Sequence, residues 1–282
     1  MAFINYNGKI IDSNTPIIKS NNRGLRYGDG LFETMKFKRN KIILIDEHLA
    51  RLWNGMKLFQ FELPKLFIPD LIESEILTLL KKNKLSEARI RLSVFRDEGG
   101  LYDAINHHPN FLIETIPLTT DTTHLQQNGL HCCFYIDSFK SNDLFCNLKH
   151  NNYLVYVMGA LFAKKQKCND AIILNQAQNV CDTTIANIFL IKNNTIYTPP
   201  LSDGCVAGVM RTFVISELKK LNYSISEKTI SKQELLEADE VFLTNSIYNI
   251  RWVSQIEQKT YSNNITLAIY NLLHDNHKEI FC

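Results

Sequence analysis

Tyr6-Asn7-Gly8 separates two short strand-like runs, Phe3-Ile4-Asn5 and Lys9-Ile10-Ile11, and no other feature narrows the fold as sharply. An Asn-Gly link suits a tight turn whose central residues take positive φ, and such a turn joins antiparallel neighbours. Arg39-Asn40 divides Met35–Lys38 from Lys41–Leu44 in the same way. Helical periodicity comes next. Leu49, Leu52, Trp53, Met56 and Phe59 recur at helical spacing behind Asp46, which reads as an N-cap. Pro69 to Lys82 repeats the pattern with Leu71, Ile72, Ile76, Leu79 and Leu80. Hairpins interleaved with helices argue against a doubly wound parallel sheet and predict an α/β chain of the α+β type.

Ile90–Phe95 and Phe111–Thr115 read as strands on either side of a Gly99-Gly100 loop. From Ile116 to Asn128 the chain turns polar, with Thr119 to Thr123, Gln126 and Gln127, and this shift marks a linker over 118–127. Two domains are expected, 1–117 and 128–282. In the second, strands fall at Leu130–Ile136, Ala171–Leu174, Asn187–Ile191, Ile196–Thr198 and Glu240–Leu243. Apolar helices cover Asn152–Lys167 and Gly208–Leu221, and Ser231 with Glu234 forms a capping box opening a short helix.

Composition removes whole classes of function. With 45% apolar and 21% charged residues, the chain can build a core and is neither disordered nor fibrous. The 31 basic and 29 acidic side chains leave a formal charge of +2, and the densest basic clusters are Lys164-Lys165-Lys167 and Lys81-Lys82-Lys84. Neither makes the basic face that nucleic acid requires. Tyr153–Ala163 is the most apolar stretch and stops at Lys164-Lys165, too short to span a bilayer. Met1–Asn7 lacks a charged, then apolar, signal pattern. Seven cysteines without paired spacing suggest free thiols in a cytoplasmic protein, with Cys132 and Cys133 pointing to opposite faces of one strand.

Several motifs can be set aside. Gly24, Gly28 and Gly30 do not have dinucleotide-loop spacing, and there is no phosphate loop, no H-E-x-x-H and no G-x-S-x-G. His107-His108 sits beside Pro109 as a solvated loop pair, and no metal set is found. Three segments remain. Lys149 lies in the polar stretch Asn147–Asn152 ahead of an apolar helix, where burial among other cations would favour a reactive neutral amine. Asp182 follows a turn just ahead of a buried strand. Asp203-Gly204-Cys205-Val206-Ala207-Gly208-Val209-Met210-Arg211 leads into a helix, where a glycine opening lets backbone N–H groups approach a phosphate. Each alone has an ordinary structural explanation. Lysine, acid and glycine-opened helix in this order within about sixty residues are not an accidental combination.

These segments, together with Arg23–Thr34, His48-Leu49-Ala50-Arg51-Leu52 and Ala238–Ser246, resemble the fold-type-IV pyridoxal-phosphate enzymes over nearly the whole chain. That family holds the class IV aminotransferases and aminodeoxychorismate lyase. The resemblance implies a smaller N-terminal α/β domain, a larger domain built around a barrel-like sheet, and a homodimer with its site near the interface. It implies that Lys149 attaches the cofactor aldehyde and later moves a proton. Arg51, the backbone amides of Val209 and Met210, and the Ser246 hydroxyl are then the phosphate contacts. Asn152 or Tyr153 would meet the ring hydroxyl. Asp182 stands where many members carry glutamate facing the pyridine nitrogen, an acid that keeps the ring electron-poor.

The same resemblance leaves the reaction to the substrate residues. The Gly28–Thr34 run is similar to lyases and to D-amino-acid enzymes, whereas His150-Asn151-Asn152 lacks the glycines of many branched-chain enzymes. Arg96, Arg26 and Arg251 are candidates for a substrate carboxylate, and Trp252 stands where many relatives carry proline. The expected activity is amino transfer between an amino acid, branched-chain among the options, and a 2-oxo acid. Release of pyruvate and 4-aminobenzoate from aminodeoxychorismate is the first alternative, and D-amino-acid transfer the second. A binding protein that lost the chemistry is a non-enzymatic rival, opposed by intact Lys149, Arg51 and Asp182.

Overall fold

The computed structural model of the chain describes residues 2–119 and 121–281. It divides into two compact units, one of residues 2–119 with Leu148–Asn152, the other of residues 121–147 and 153–281. The segment carrying Lys149 therefore belongs to the first unit, although it lies beyond the linker in sequence.

The first unit is built on strands β1 (Phe3–Tyr6), β2 (Lys9–Asp12), β3 (Gly30–Lys38), β4 (Lys41–Ile42), β5 (Ala88–Arg96) and β6 (Pro109–Pro117). They form one sheet in the order β2-β1-β6-β5-β3-β4, antiparallel throughout. Asn7 and Gly8, and Arg39 and Asn40, all have positive φ, as the two tight turns require. Helices α1 (Arg23–Tyr27), α2 (Ile45–Leu58) and α3 (Pro69–Asn83) complete the unit. Leu31, Met35 and Phe37 alternate along β3 and meet Leu49, Leu52 and Met56 of α2 in one core with Ile72, Ile76 and Leu79 of α3. Each such fully buried side chain contributes roughly 1.5–3 kcal/mol. Asp46 is not the N-cap of α2. Leu44 takes that place at φ 54 with no capping side chain, so Asp46 falls inside the first turn beside Glu47, where it complements the helix dipole.

The second unit holds β7 (Leu130–Lys140), β8 (Asp170–Asn175), β9 (Val180–Thr183), β10 (Asn187–Lys192), β11 (Thr195–Thr198), β12 (Ile225–Glu227), β13 (Glu240–Asn245), β14 (Asn249–Ile256) and β15 (Lys259–Thr260). Their order is β12-β11-β10-β13-β14-β7-β8-β9, with β15 on β14, in a sheet curled into a half-barrel. Pairing is parallel for β11/β12, β14/β7 and β7/β8, and antiparallel elsewhere. The helices are α4 (Leu154–Lys165), α5 (Val209–Lys220), α6 (Lys232–Leu236), α7 (Asn264–Asn276) and α8 (Lys278–Phe281). Ser231 and Glu234 make both bonds of the capping box on α6. Cys132 and Cys133 enter separate core clusters on opposite faces of β7, as alternation demands. Among the described residues the cysteines are free, and Cys282 lies outside them. Asp182 follows the turn at 176–178 and precedes buried β10, and is itself part of the short strand β9, opposite Ile173 of β8. Four residues are too few to announce themselves by periodicity, and β12, β15 and α8 are as short or shorter; β14 and α7, of 8 and 13 residues, are longer elements that no sequence expectation covers.

Candidate active site

In the first unit, β3 presents alternate residues to opposite faces. Glu33, on the α2 side, is fully buried and takes both neighbours from that helix. Arg51 donates Nε–H to Oε1 at 2.8 Å and an Nη2–H to Oε2 at 2.5 Å, and His48 Nδ1 lies 2.6 Å from Oε2. Burial alone would push the Glu33 carboxyl up, but the Arg51 guanidinium and His48 outweigh it and hold it at about 2. Burial pushes His48 down against the attraction of Glu33, with Arg51 and Lys149 adding to the downward push. A neutral ring follows, donating from Nδ1, with its buried Nε2 unpartnered.

Lys149 is tied to the other end of the same strand. Its carbonyl accepts from the Phe32 N–H at 2.9 Å, and the Asn151 N–H donates to the Gly30 carbonyl at 2.9 Å. Its ammonium lies 4.4 Å from the centroid of the Phe32 ring, and the Arg91 guanidinium lies 4.0 Å from the same centroid. Gly28 and Gly30 make this approach possible. Gly28 has φ +65, and a Cβ there would meet Asn152 Oδ1 at 2.3 Å; at Gly30 it would meet the Val94 carbonyl oxygen at 2.5 Å and Asn151 Nδ2 at 2.6 Å. The glycine spacing serves the lysine segment. Asn152 is correspondingly packed against Gly28.

The expected substrate arginines are placed differently. Arg96 is buried and donates to Asp29 at 3.0 Å and to the carbonyls of Gln60 and Phe59, with His107 Nδ1 3.0 Å away. Arg23 shares Asp29 and holds the carbonyls of Gly99, Leu101 and Tyr102. The Arg96 guanidinium is thus engaged with groups of the protein itself. Arg26 lies exposed on α1, donating to the Ser20 carbonyl. In the second unit Arg251 donates to Gln126 Oε1 at 3.1 Å and covers the Tyr248 ring, while Trp252 Nε1 donates to the Gln126 carbonyl.

In the second unit, Asp182 lies on β9. It is 2% exposed. Oδ2 accepts from the Tyr156 hydroxyl and the Val206 N–H, each at 3.0 Å, and Lys140 Nζ stands 3.6 Å away. Oδ1 is buried and has no hydrogen-bond partner among the described residues. Burial pushes this carboxyl up, opposed by Lys140, the Val206 N–H and Tyr156. Tyr156 and Lys140 escaped the sequence reasoning, because Tyr156 reads as one apolar helix position among many. The Tyr153 ring lies tilted against it, centroids 4.5 Å apart. Next to Val206, α5 opens at Gly208 with no side-chain cap, and a Cβ there would strike Asn187 Oδ1 at 1.9 Å. Val209 and Met210 therefore start a helix whose first N–H groups can hold an anion. Ser246 is half-buried in the turn joining β13 and β14.

The residues present fit a phosphorylated pyridine cofactor. A buried carboxylate oxygen without a donor suits a ring N–H, and an uncapped, glycine-opened helix suits a phosphate. Among the described residues no group of side chains could hold a metal ion, and no helix is long and apolar enough to cross a membrane.

Comparison with known proteins agrees. A family model described as amino-transferase class IV matches residues 30–256. A Methanocaldococcus jannaschii protein provisionally named a branched-chain-amino-acid aminotransferase is 28% identical over 277 residues, covering 97% of this chain and 94% of its own. An aminodeoxychorismate lyase of Bacillus subtilis is also 28% identical, over 268 residues, covering 90% and 87%. The crystal structure of a branched-chain aminotransferase from Thermoproteus uzoniensis with norvaline superposes with a TM-score of 0.86 at 22% identity, covering 96% of this chain and 93% of that one. The last likeness concerns the fold.

Proposed function

The chain belongs to the class IV amino-transferase family, and on that premise we propose that it moves an amino group between an amino acid, branched-chain among its substrates, and a 2-oxo acid. Members of this family are pyridoxal-phosphate-dependent enzymes. The observation that carries the reading is the unpartnered Oδ1 of buried Asp182.

When bound, the cofactor accepts the electron pair left as a substrate Cα–H bond breaks. Lys149 supplies the amine that attaches the cofactor and, once released, takes the Cα proton as general base. Asp182 would keep a proton on the ring nitrogen by accepting a hydrogen bond from that N–H at Oδ1. Arg51, oriented by Glu33, would hold the phosphate with the N–H groups of Val209 and Met210 and the Ser246 hydroxyl. Asn152 or Tyr153 would meet the ring hydroxyl. A second copy of the chain is the expected partner. Leu154, Val157, Met158 and Leu161 form an exposed stripe at helical spacing along α4, the kind of surface an interface covers. The free thiols are in keeping with a cytoplasmic location.

The same run of Gly28–Thr34 and the equal identity to the Bacillus subtilis protein favour a second reading, aminodeoxychorismate lyase. One panel separates the two. Branched-chain L-amino acids, D-alanine and aminodeoxychorismate are offered in turn, with amino transfer to 2-oxo acids and 4-aminobenzoate release both measured. We expect amino transfer; pyruvate and 4-aminobenzoate alone would replace it with the lyase. The purified protein should also carry a visible absorption band that Lys149→Ala abolishes. A wild type that stays colourless with added pyridoxal phosphate overturns the whole reading.

A further inference from the structure

Lys140 ends β7 and is 7% exposed, a lysine almost entirely withdrawn from water. Among the described residues its ammonium has no hydrogen-bond partner. Its neighbours are Asp182 Oδ2 at 3.6 Å and the Tyr156 ring, whose centroid is 5.2 Å away. A buried ammonium so poorly solvated is a costly way to fill space, and an apolar side chain of similar volume would serve stability as well or better. Its position beside Asp182 supplies a reason for it: among the described residues three buried aspartates, Asp170, Asp182 and Asp203, have an oxygen without a hydrogen-bond partner, and Asp182 is the one that Lys140 meets in an ion pair.

We propose that Lys140 is a positioning residue for Asp182, holding the carboxylate charged and turned so that Oδ1 stays open for the proton on the cofactor's ring nitrogen. The inference rests on the reading of Asp182 given above and adds to it. Oδ2 is taken by three neighbours from three places: Lys140 on β7, Tyr156 on α4 and the Val206 N–H ahead of α5. With that oxygen fixed, the carboxylate plane is fixed and Oδ1 has one direction left. The thiols of Cys181, on its own strand, and of Cys205 interact with Asp182, and burial pushes both up, so they are neutral. Asp203 acts on Cys181, and Arg211 and Cys146 act on Cys205; the Arg211 guanidinium is bound to Glu227 and the Pro199 carbonyl. Lys140 is the cation that opposes the desolvation of Asp182. Aspartate is shorter than the glutamate many relatives carry, so its direction depends more on such neighbours.

The test uses Lys140→Met, Lys140→Gln, Lys140→Arg and Asp182→Asn, each checked for folding by circular dichroism. Infrared difference spectra of the cofactor-free proteins, with Asp182→Asn as the blank, report whether Asp182 is protonated. Titration with pyridoxal phosphate over a range of pH reports affinity. We expect a protonated-carboxyl band near neutral pH in Lys140→Met and Lys140→Gln, absent from wild type and Lys140→Arg. Affinity near neutral pH should fall about tenfold in the Met and Gln variants, and Lys140→Arg should restore most of it. If Asp182→Asn loses affinity while Lys140→Met and Lys140→Gln match wild type in both readouts, the role of Lys140 is overturned and that of Asp182 stands. If the band appears but neither Asp182→Asn nor Lys140→Met changes affinity, the reading of Asp182 falls and takes this one with it. Should Lys140→Met fail to fold, Lys140→Gln and Lys140→Arg decide by the same two readouts.

Discussion

Two buried carboxylates stand at the hearts of the two units, and their surroundings push them in opposite directions. Glu33 has both oxygens occupied by Arg51 and His48, and its carboxyl is held at about 2. Asp182 has one oxygen occupied and one open, and burial pushes its carboxyl up. Glu33 is a structural anion: its charge is spent inside the protein on holding an arginine and a histidine. Asp182 is poised, with Lys140 beside one oxygen and a lone pair on the other still to be matched. Burial is shared by the two; saturation of the oxygens separates them.

The sharpest way to break the contrast is Asp182→Ala. If Asp182 serves the cofactor ring, turnover should fall between about a hundredfold and about a thousandfold while the folded state survives. Steady-state rates with saturating pyridoxal phosphate measure it. Unchanged turnover would place Asp182 in the same structural class as Glu33.

Glu33→Gln probes the other side and should act on stability first. A carboxyl held at about 2 against an ordinary 4.5 is worth about 3 kcal/mol when ionised. A depressed carboxyl contributes stability above its unfolded value and loses it as pH falls through the folded value. The gap between wild type and Glu33→Gln in urea unfolding should therefore stay constant from neutral pH down to about 5 and close below that. Cofactor affinity should fall as well, through Arg51. The sign is reversed for Asp182. Its raised carboxyl makes the cofactor-free fold gain stability as pH drops through the folded value, and Asp182→Asn should lack that gain.

The two carboxylates also differ in how far the sequence disclosed them. Asp182 could be singled out from its place between Lys149 and the glycine-opened helix. Its partners could not, since Lys140 closes a strand 42 positions earlier and Tyr156 sits in an apolar helix. Glu33 was read only as part of a motif. That it binds the guanidinium two helical turns into α2 depends on strand–helix packing, which no local pattern encodes. Turns were the most legible elements, because Asn7-Gly8 and Arg39-Asn40 report backbone geometry directly. Lys149 was chemically legible and topologically not: its segment folds onto β3 through long-range backbone bonds, and the glycines 28 and 30 that permit this reveal their purpose only beside it.

The arginines sharpen the same distinction at a smaller scale. Arg96 resembles Glu33, with its guanidinium spent on Asp29, on two carbonyls and against His107. Arg96→Ala should cost about 2 kcal/mol of folding stability, because it leaves Asp29 and those carbonyls short of a buried donor. A KM for substrate that stays within about twofold would confirm that Arg96 braces the fold and does not grip a carboxylate. Arg26 has one carbonyl contact and faces solvent, so Arg26→Ala should change stability by no more than about 0.5 kcal/mol. If Arg26→Ala instead raises KM about tenfold with kcat unchanged, an exposed arginine with few internal partners is the one left free to meet substrate, and satisfied charge again marks structure while unsatisfied charge marks function.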